Sequence, residues 1–290
     1  MAQKESRRNV LKYAGTAVAG LVVGGAAGWL AKPTPTMPTP SNATMVTSAT
    51  SVAKFGQAPP AGTPVSIVHG FDAAYPPFTQ VNAQGVAVGF DVDVLQLIAK
   101  ANGWTIIEKP WQWASIIPAL QAGNLDLIMS GLTMLASRYD VIEFSLPYYP
   151  VFHELVVLST ETRTLDTILH SGETISVETG SAADDWATKL LAAGFTFNKL
   201  GLDTYELALE AVGDKRATGS ITDSSFLDPL FRANPKMAAG FRIAGNIGGL
   251  TAYGIGTRKA DTWLQSQLNH ALEDIAGTPQ WDDLLAKWNL

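Results

Sequence analysis

The chain has 290 residues, of which 47% are hydrophobic and 16% charged, and it contains no cysteine. That is enough apolar material for a sizeable core in one or two domains and is not the composition of a disordered chain, while the missing cysteine excludes disulfides, zinc–thiolate sites, a thiol nucleophile and a lipid-modified cysteine. Beyond residue 50 there are 15 Lys+Arg against 25 Asp+Glu, and an acidic body without basic clusters argues against nucleic acid as a partner.

Residues 1–31 read as a targeting segment. Ser6-Arg7-Arg8-Asn9-Val10-Leu11-Lys12 has the look of a twin-arginine export signal, and an apolar Gly/Ala-rich run follows from Tyr13 to Ala31. Lys4, Arg7, Arg8 and Lys12 on its leading side keep the N-terminus in the cytoplasm. A run of about 19 apolar residues just spans a bilayer, and the small-residue pattern before a cut is poor near Trp29-Leu30-Ala31, so a cleaved signal and a retained anchor both fit. From Lys32 the composition turns to Pro, Thr and Ser, as expected of a stiff, extended spacer; residues 32–63 are taken as linker. Asn42-Ala43-Thr44 is a glycosylation sequon within it.

The folded part opens with an expected buried strand, Val65–His69, and a turn at Asn82-Ala83-Gln84-Gly85. Helical spacing of Val94, Leu97, Ile98 and Ala101 predicts a helix from Phe90 to Asn102, stopped by Gly103. Thr105–Ile107 is a strand, Ser115–Gln121 a helix, and Leu125–Met129 a strand that delivers Ser130 and Gly131. A second series follows: strands at Glu154–Leu158 and Thr174–Val177, helices at Ser181–Ala193 and Tyr205–Val212, then a strand Ala217–Ile221 ending at Thr222-Asp223. Phe241–Ile243 leads back through Gly248-Gly249, and two helices, Ala260–Ala276 and Pro279–Trp288, close the chain. Alternation of this kind implies an α/β fold with largely parallel sheets, whose ligands bind beyond the carboxyl ends of the strands.

Four short motifs fall at such ends: Gly70-Phe71-Asp72-Ala73-Ala74-Tyr75-Pro76-Pro77-Phe78, Gly89-Phe90-Asp91-Val92-Asp93, Ile116-Ile117-Pro118-Ala119-Leu120, and Ser130-Gly131-Leu132-Thr133 with Arg138. Together they offer a guanidinium for a carboxylate, hydroxyl and carbonyl acceptors for an ammonium, and aromatic walls. In this order and spacing the run resembles the extracytoplasmic amino-acid-binding proteins of ABC transporters, solute-binding protein family 3, over roughly Pro64 to Leu290. The resemblance implies a two-lobed periplasmic-binding-protein type II fold, each lobe a mixed, mostly parallel sheet with flanking helices, joined by two crossover hinge strands. The lobes would be 64–152 with 249–290, and 153–248.

The same resemblance implies a site. Arg138 would hold the ligand's α-carboxylate through two parallel hydrogen bonds; the plain alternative is a surface arginine on a helix. Ser130, Gly131 and Thr133 would face the ammonium and carboxylate, unless they form an ordinary strand-to-helix turn. Asp223 would be the counter-charge from the second lobe, or else a turn or cap aspartate. Gly180, Ser181 and Ala182 open a helix whose free N–H groups could clamp the carboxylate, or the helix is merely capped there. Tyr75 and Trp113 would sandwich the side chain, and Asp72 would meet a polar or basic one rather than only shaping its turn. The chain departs from the family's usual residues at Leu135, Ala182 and Thr218. No cofactor, metal or phosphate motif is visible; His69, His153, His170 and His270 lack metal-ligand spacing.

The expected protein is therefore a monomeric, extracytoplasmic binding protein rather than an enzyme, delivering a free amino acid, basic or polar, to an ABC permease. The rivals are a cyclohexadienyl- or arogenate-type dehydratase on the same fold, for which Asp72 or Glu154 would have to supply the acid, and a ligand-sensing receptor domain. Replacing Arg7 and Arg8 together by lysine should trap precursor in the cytoplasm, as read by cell fractionation; unchanged export would show that another secretory route is used.

Overall fold

A computed structural model describes residues 54–290; the segment expected to be an export signal or anchor, the expected spacer up to residue 53 and the sequon at Asn42 lie outside the described residues. Two five-stranded sheets form the two lobes. In the first, Val65–Phe71 runs at the centre of a parallel trio with Trp104–Pro110 and Leu127–Ile128, and Gly256–Thr257 then Glu143–Phe144 complete it antiparallel. In the second, Asn198–Leu202, Thr174–Glu178 and Gly219–Asp223 are parallel, followed by Tyr149–Leu158 and Phe241–Tyr253 running antiparallel. The first sheet thus takes strands from both ends of the folded chain, and the second takes the middle.

The last two strands make the connection between lobes. They pair along most of their length, from Phe241 opposite Leu158 to Tyr253 opposite Tyr149, with irregularities after Ile243 and Ile247. Both run well past the segments expected at Glu154–Leu158 and Phe241–Ile243. Tyr149-Pro150 and Gly248-Gly249 read as breaks in the sequence, but Pro is tolerated where its missing N–H is not needed and Gly where the ladder is irregular. The helix at Ser224–Ala233 and the strand at Asn198–Leu202 were not expected from the sequence. Pro229 interrupts the helical pattern of the one, and the other is half solvent-facing.

The helix Phe90–Asn102 buries Phe90, Val94 and Ile98 at four-residue spacing together with Leu95, and ends on Gly103 in the left-handed conformation. Its entry requires glycine. Gly89 has φ +146°, and a Cβ there would lie 2.0 Å from the carbonyl oxygen of Phe78. This close approach brings the Tyr75 turn and the helix start together. The C-terminal helix Pro279–Trp288 returns to the same lobe, where Trp281 packs edge-on against Phe90 at 5.2 Å.

Part of the segment taken as linker is packed. Phe55 is buried against Trp263, its N–H donates to Asp261 at 2.8 Å, and Lys54 pairs with Asp126 at 2.5 Å. Arg258, also buried, bridges Asp126 at 3.1 Å and Asp261 at 2.6 Å. The charges of this cluster satisfy one another, which is the condition for burying them.

Candidate functional site

The sheets' carboxyl ends face each other across a cleft. It is lined by Asp72, Tyr75, Trp113, Ser130, Gly131, Thr133 and, from the opposite lobe, Glu178, Ala182, Tyr205 and Asp223. Eight of the residues singled out in the sequence thus share one cavity. Arg138, Gly180 and Ser181 are not in its lining, but Arg138 touches both sides: Nη1 donates to the Thr133 carbonyl at 2.9 Å and Nη2 to the Gly180 carbonyl at 3.1 Å. Its guanidinium stacks over Trp113 at 5.4 Å and is buried, which excludes a surface role. Burial lowers its pKa, while Tyr205, Asp223, Asp185 and Glu178 act the other way.

The loop carrying Ser130 and Gly131 is positioned by a residue of the second motif. Asp91, fully buried at the start of its helix, accepts the Gly131 N–H at 2.7 Å and the Tyr148 hydroxyl at 2.9 Å. Burial pushes its carboxyl up to about 7 against those two hydrogen bonds. Gly131 adopts φ +57°, and a Cβ would fall 2.3 Å from a ring carbon of Tyr75, so the ring packs directly against this backbone. Ser130 Oγ accepts the Asp72 N–H at 3.0 Å and meets Thr79 Oγ1 at 2.8 Å. The short helix Ala136–Tyr139 that bears Arg138 begins at Leu135, which makes no side-chain cap. Leu135 is buried instead, and the Arg138–Thr133 bond closes the turn.

Tyr75 and Trp113 both line the cavity. Tyr75 stacks on Phe226 at 6.1 Å and packs on Tyr205 at 5.8 Å, and its hydroxyl donates to Asp223 Oδ2 at 2.9 Å. Tyr253 reaches the same oxygen at 2.9 Å, Tyr205 reaches Oδ1 at 2.8 Å, and Ser225 lies 3.1 Å from the Tyr75 hydroxyl. Asp223 precedes the helix Ser224–Ala233 without capping it; its carboxylate is directed to this ring of hydroxyls. His153, on the strand beside it, places Nε2 3.3 Å from Oδ1 and has its pKa lowered by burial.

The opposite helix start is locally satisfied. Ser181 caps Ala182–Ala192 by accepting from the Asp184 N–H, and the Gly180 N–H donates to Asp184 at 2.9 Å. Ala182 is buried in the cavity wall.

Glu178, Tyr205, Tyr253 and Ser225 were not picked out by sequence reasoning, and Asp91 was noted as part of a motif without a site role. Glu178 carried a readable signal, an acidic residue closing a strand of otherwise uncharged residues just before Thr179-Gly180. It is 4% exposed, and its carboxyl meets that of Asp72 across the cleft. Burial first, then Asp72 and Asp223, raise Glu178 well above the ordinary carboxylate range, with Arg138 opposing. Asp72, which also accepts the Ala74 N–H at 2.8 Å, is raised by burial to about 6. Glu154, the other acid weighed for catalysis, is not in the lining; burial and Asp228 raise it to about 7.

The profile of bacterial extracellular solute-binding proteins, family 3, matches residues 67–290. The "Probable histidine-binding protein" of Neisseria gonorrhoeae is 28% identical over 218 residues, covering 75% of this chain and 80% of its own length. Among solved structures, an ancestral arginine-binding protein bound to arginine is 30% identical with a TM-score of 0.68, over 77% of this chain and 97% of the other. An ancestral amino-acid-binding protein described as a precursor of cyclohexadienyl dehydratase is 26% identical with a TM-score of 0.67, over 77% and 94%.

Asp91→Ala would leave the Gly131 N–H and the Tyr148 hydroxyl buried without partners, at about 1–3 kcal/mol each. A fall in Tm of roughly 5–10 °C is expected by calorimetry; an unchanged Tm would mean that the loop is held by other contacts.

Proposed function

The chain belongs to the bacterial extracellular solute-binding proteins, family 3, and we propose that it captures a free amino acid with a basic side chain between its lobes and delivers it to the permease of an ABC importer. The observation that carries this reading is the charge of the cleft. Asp72, Glu178 and Asp223 converge there with Arg138 as the nearby cation. A basic amino acid has the complementary set of charges, one carboxylate and two cations. In this reading its α-carboxylate docks on Arg138 with the backbone around Gly131, Thr133 and Gly180–Ala182. Its ammonium goes to Asp223 in place of tyrosyl hydroxyls, and its side chain runs past Tyr75 and Trp113 to Asp72. Stacking a cation on such ring faces adds roughly 0.5–2 kcal/mol each.

Histidine- and arginine-binding relatives support an amino acid of this type. Closure follows from contacts that a ligand makes to both lobes at once, since only differential contact shifts a population. The address is extracytoplasmic, with the N-terminal segment as export signal or membrane tether. The dehydratase alternative asks for a general acid; of the two candidates Glu154 is outside the cavity lining, while Asp72, with Glu178, lies in it, and the relatives that support the binding reading are binding proteins.

Arg138→Ala removes the partner of a desolvated carboxylate, which costs roughly 3–5 kcal/mol. Affinity should fall by about two to three orders of magnitude with the fold intact, as measured by calorimetry; near-normal affinity would remove the carboxylate clamp. In titrations of the unaltered protein, arginine or lysine should bind most tightly, then histidine or glutamine, with aspartate and glutamate last. Tight leucine binding without any response to arginine would leave an amino-acid-binding protein but not a basic-selective one.

A further inference from the structure

The facing carboxyls of Asp72 and Glu178 pose a problem that neither lobe has alone. Each is nearly excluded from solvent, and two carboxylates in contact cannot both ionise away from water. They need either a proton or another cation between them. The groups that face the pair decide which. Asp223 adds a third negative charge on the second lobe, and Arg138 opposes it. Tyr205 stands beside Glu178 with its own hydroxyl committed to Asp223. On the first lobe, Asp72 receives only the Ala74 N–H, while its own N–H is committed to Ser130. Among the described residues, Arg138 is the cation that acts on the pair. Arg138 in turn is engaged with the Thr133 and Gly180 carbonyls.

We propose that Asp72 and Glu178 form a proton-sharing pair that exchanges its proton for the cationic head of the ligand's side chain, making Glu178 a specificity-determining residue and coupling capture to proton release. This rests on the basic-ligand reading above. The exchange balances: one proton held by two carboxyl groups and one guanidinium or ammonium held by two carboxylates leave the same net charge of −1 in the cleft. No bond other than the carboxyl O–H breaks, and the proton goes to solvent. A neutral side chain such as that of glutamine cannot replace the proton, so it binds with the pair still protonated. The raised values for both carboxyls, about 6 for Asp72 and well above the ordinary range for Glu178, have the sign this requires.

The direction of the pH effect follows. Below the titration of the pair, a ligand that must expel a proton loses affinity as pH falls, by up to about tenfold per pH unit for one proton released. The test is isothermal titration of the purified protein with arginine and with glutamine at pH 7, in phosphate, HEPES and Tris, whose ionisation enthalpies differ. The slope of observed enthalpy against buffer enthalpy counts the protons. About one proton released per arginine, none per glutamine, and an arginine affinity that drops toward tenfold between pH 7 and pH 6 are expected. In Glu178→Gln, release with arginine should disappear, and arginine affinity should fall at least tenfold while glutamine binding changes little.

Arginine binding without proton release, or with release and affinity unchanged in Glu178→Gln, would overturn the exchange and leave the basic-ligand reading standing. Absence of arginine binding to the unaltered protein would remove both. Should Glu178→Gln fail to fold, the buffer series on the unaltered protein decides alone.

Discussion

Closing two lobes over three carboxyl groups and one guanidinium is possible only if each buried charge has a partner at the moment of closure. Desolvating an unpaired carboxylate costs several kcal/mol, comparable to a whole domain's net stability. The local structure around the cleft answers that constraint. Asp223 receives hydroxyls from both lobes: Tyr75 from the first, Tyr205 from the second, and Tyr253 from the strand that joins them. Arg138 reaches across to the Gly180 carbonyl. Asp72 and Glu178 line the cleft from opposite lobes, and beyond the Ala74 N–H on Asp72 each has the other as its side-chain partner, so the charge chemistry of the site concentrates on that pair.

The same residues tie the site to the connection between lobes. Tyr253 lies opposite Tyr149 in the paired hinge strands, forms an isolated bridge with Thr133, and sends its hydroxyl to Asp223. His153, one strand over from Asp223 in register, also reaches that carboxylate, its Nε2 3.3 Å from Oδ1. A ligand ammonium that takes over Asp223 would therefore compete with contacts made by the hinge itself. In such an arrangement occupancy of the cleft and the angle between lobes are coupled through shared partners, and no separate relay is needed.

Much of this was legible in the sequence because the motifs are local. Apolar spacing and a terminal glycine define the helix Phe90–Asn102, and strand ends deliver Asp72, Ser130 and Asp223 to one side of the sheets as the α/β alternation requires. What could not be read is convergence between distant segments. Tyr205 reads as the residue opening a helix and Tyr253 as part of a glycine-rich return, while Ser225 lies in a helix the sequence did not suggest; their hydroxyls acquire a purpose only once Asp223 stands between them. Asp91 lies within a motif, yet its bonds to Gly131 and Tyr148 span 40 and 57 residues. Tyr75 was legible as a ring and not as a hydroxyl. The hinge strands were cut short because Pro150 and Gly248-Gly249 are local breakers that long-range pairing overrides.

That division bears on where selectivity resides. The motif residues chiefly hold backbone: Gly89 admits the Phe78 carbonyl, Gly131 admits the Tyr75 ring, and Asp91 fixes the loop between them. Such contacts present the features any free amino acid shares, and they set no preference for its side chain. Asp72 is the exception within the motifs, but a single carboxyl buried beside an ammonium site can be protonated and accept a neutral amide nearly as well as a cation. A second carboxyl in contact with it changes the balance, because the pair must then hold one positive charge whatever occupies the cleft. Selectivity on this view is contributed by Glu178, at a strand end outside every motif and facing Asp72 from the opposite lobe.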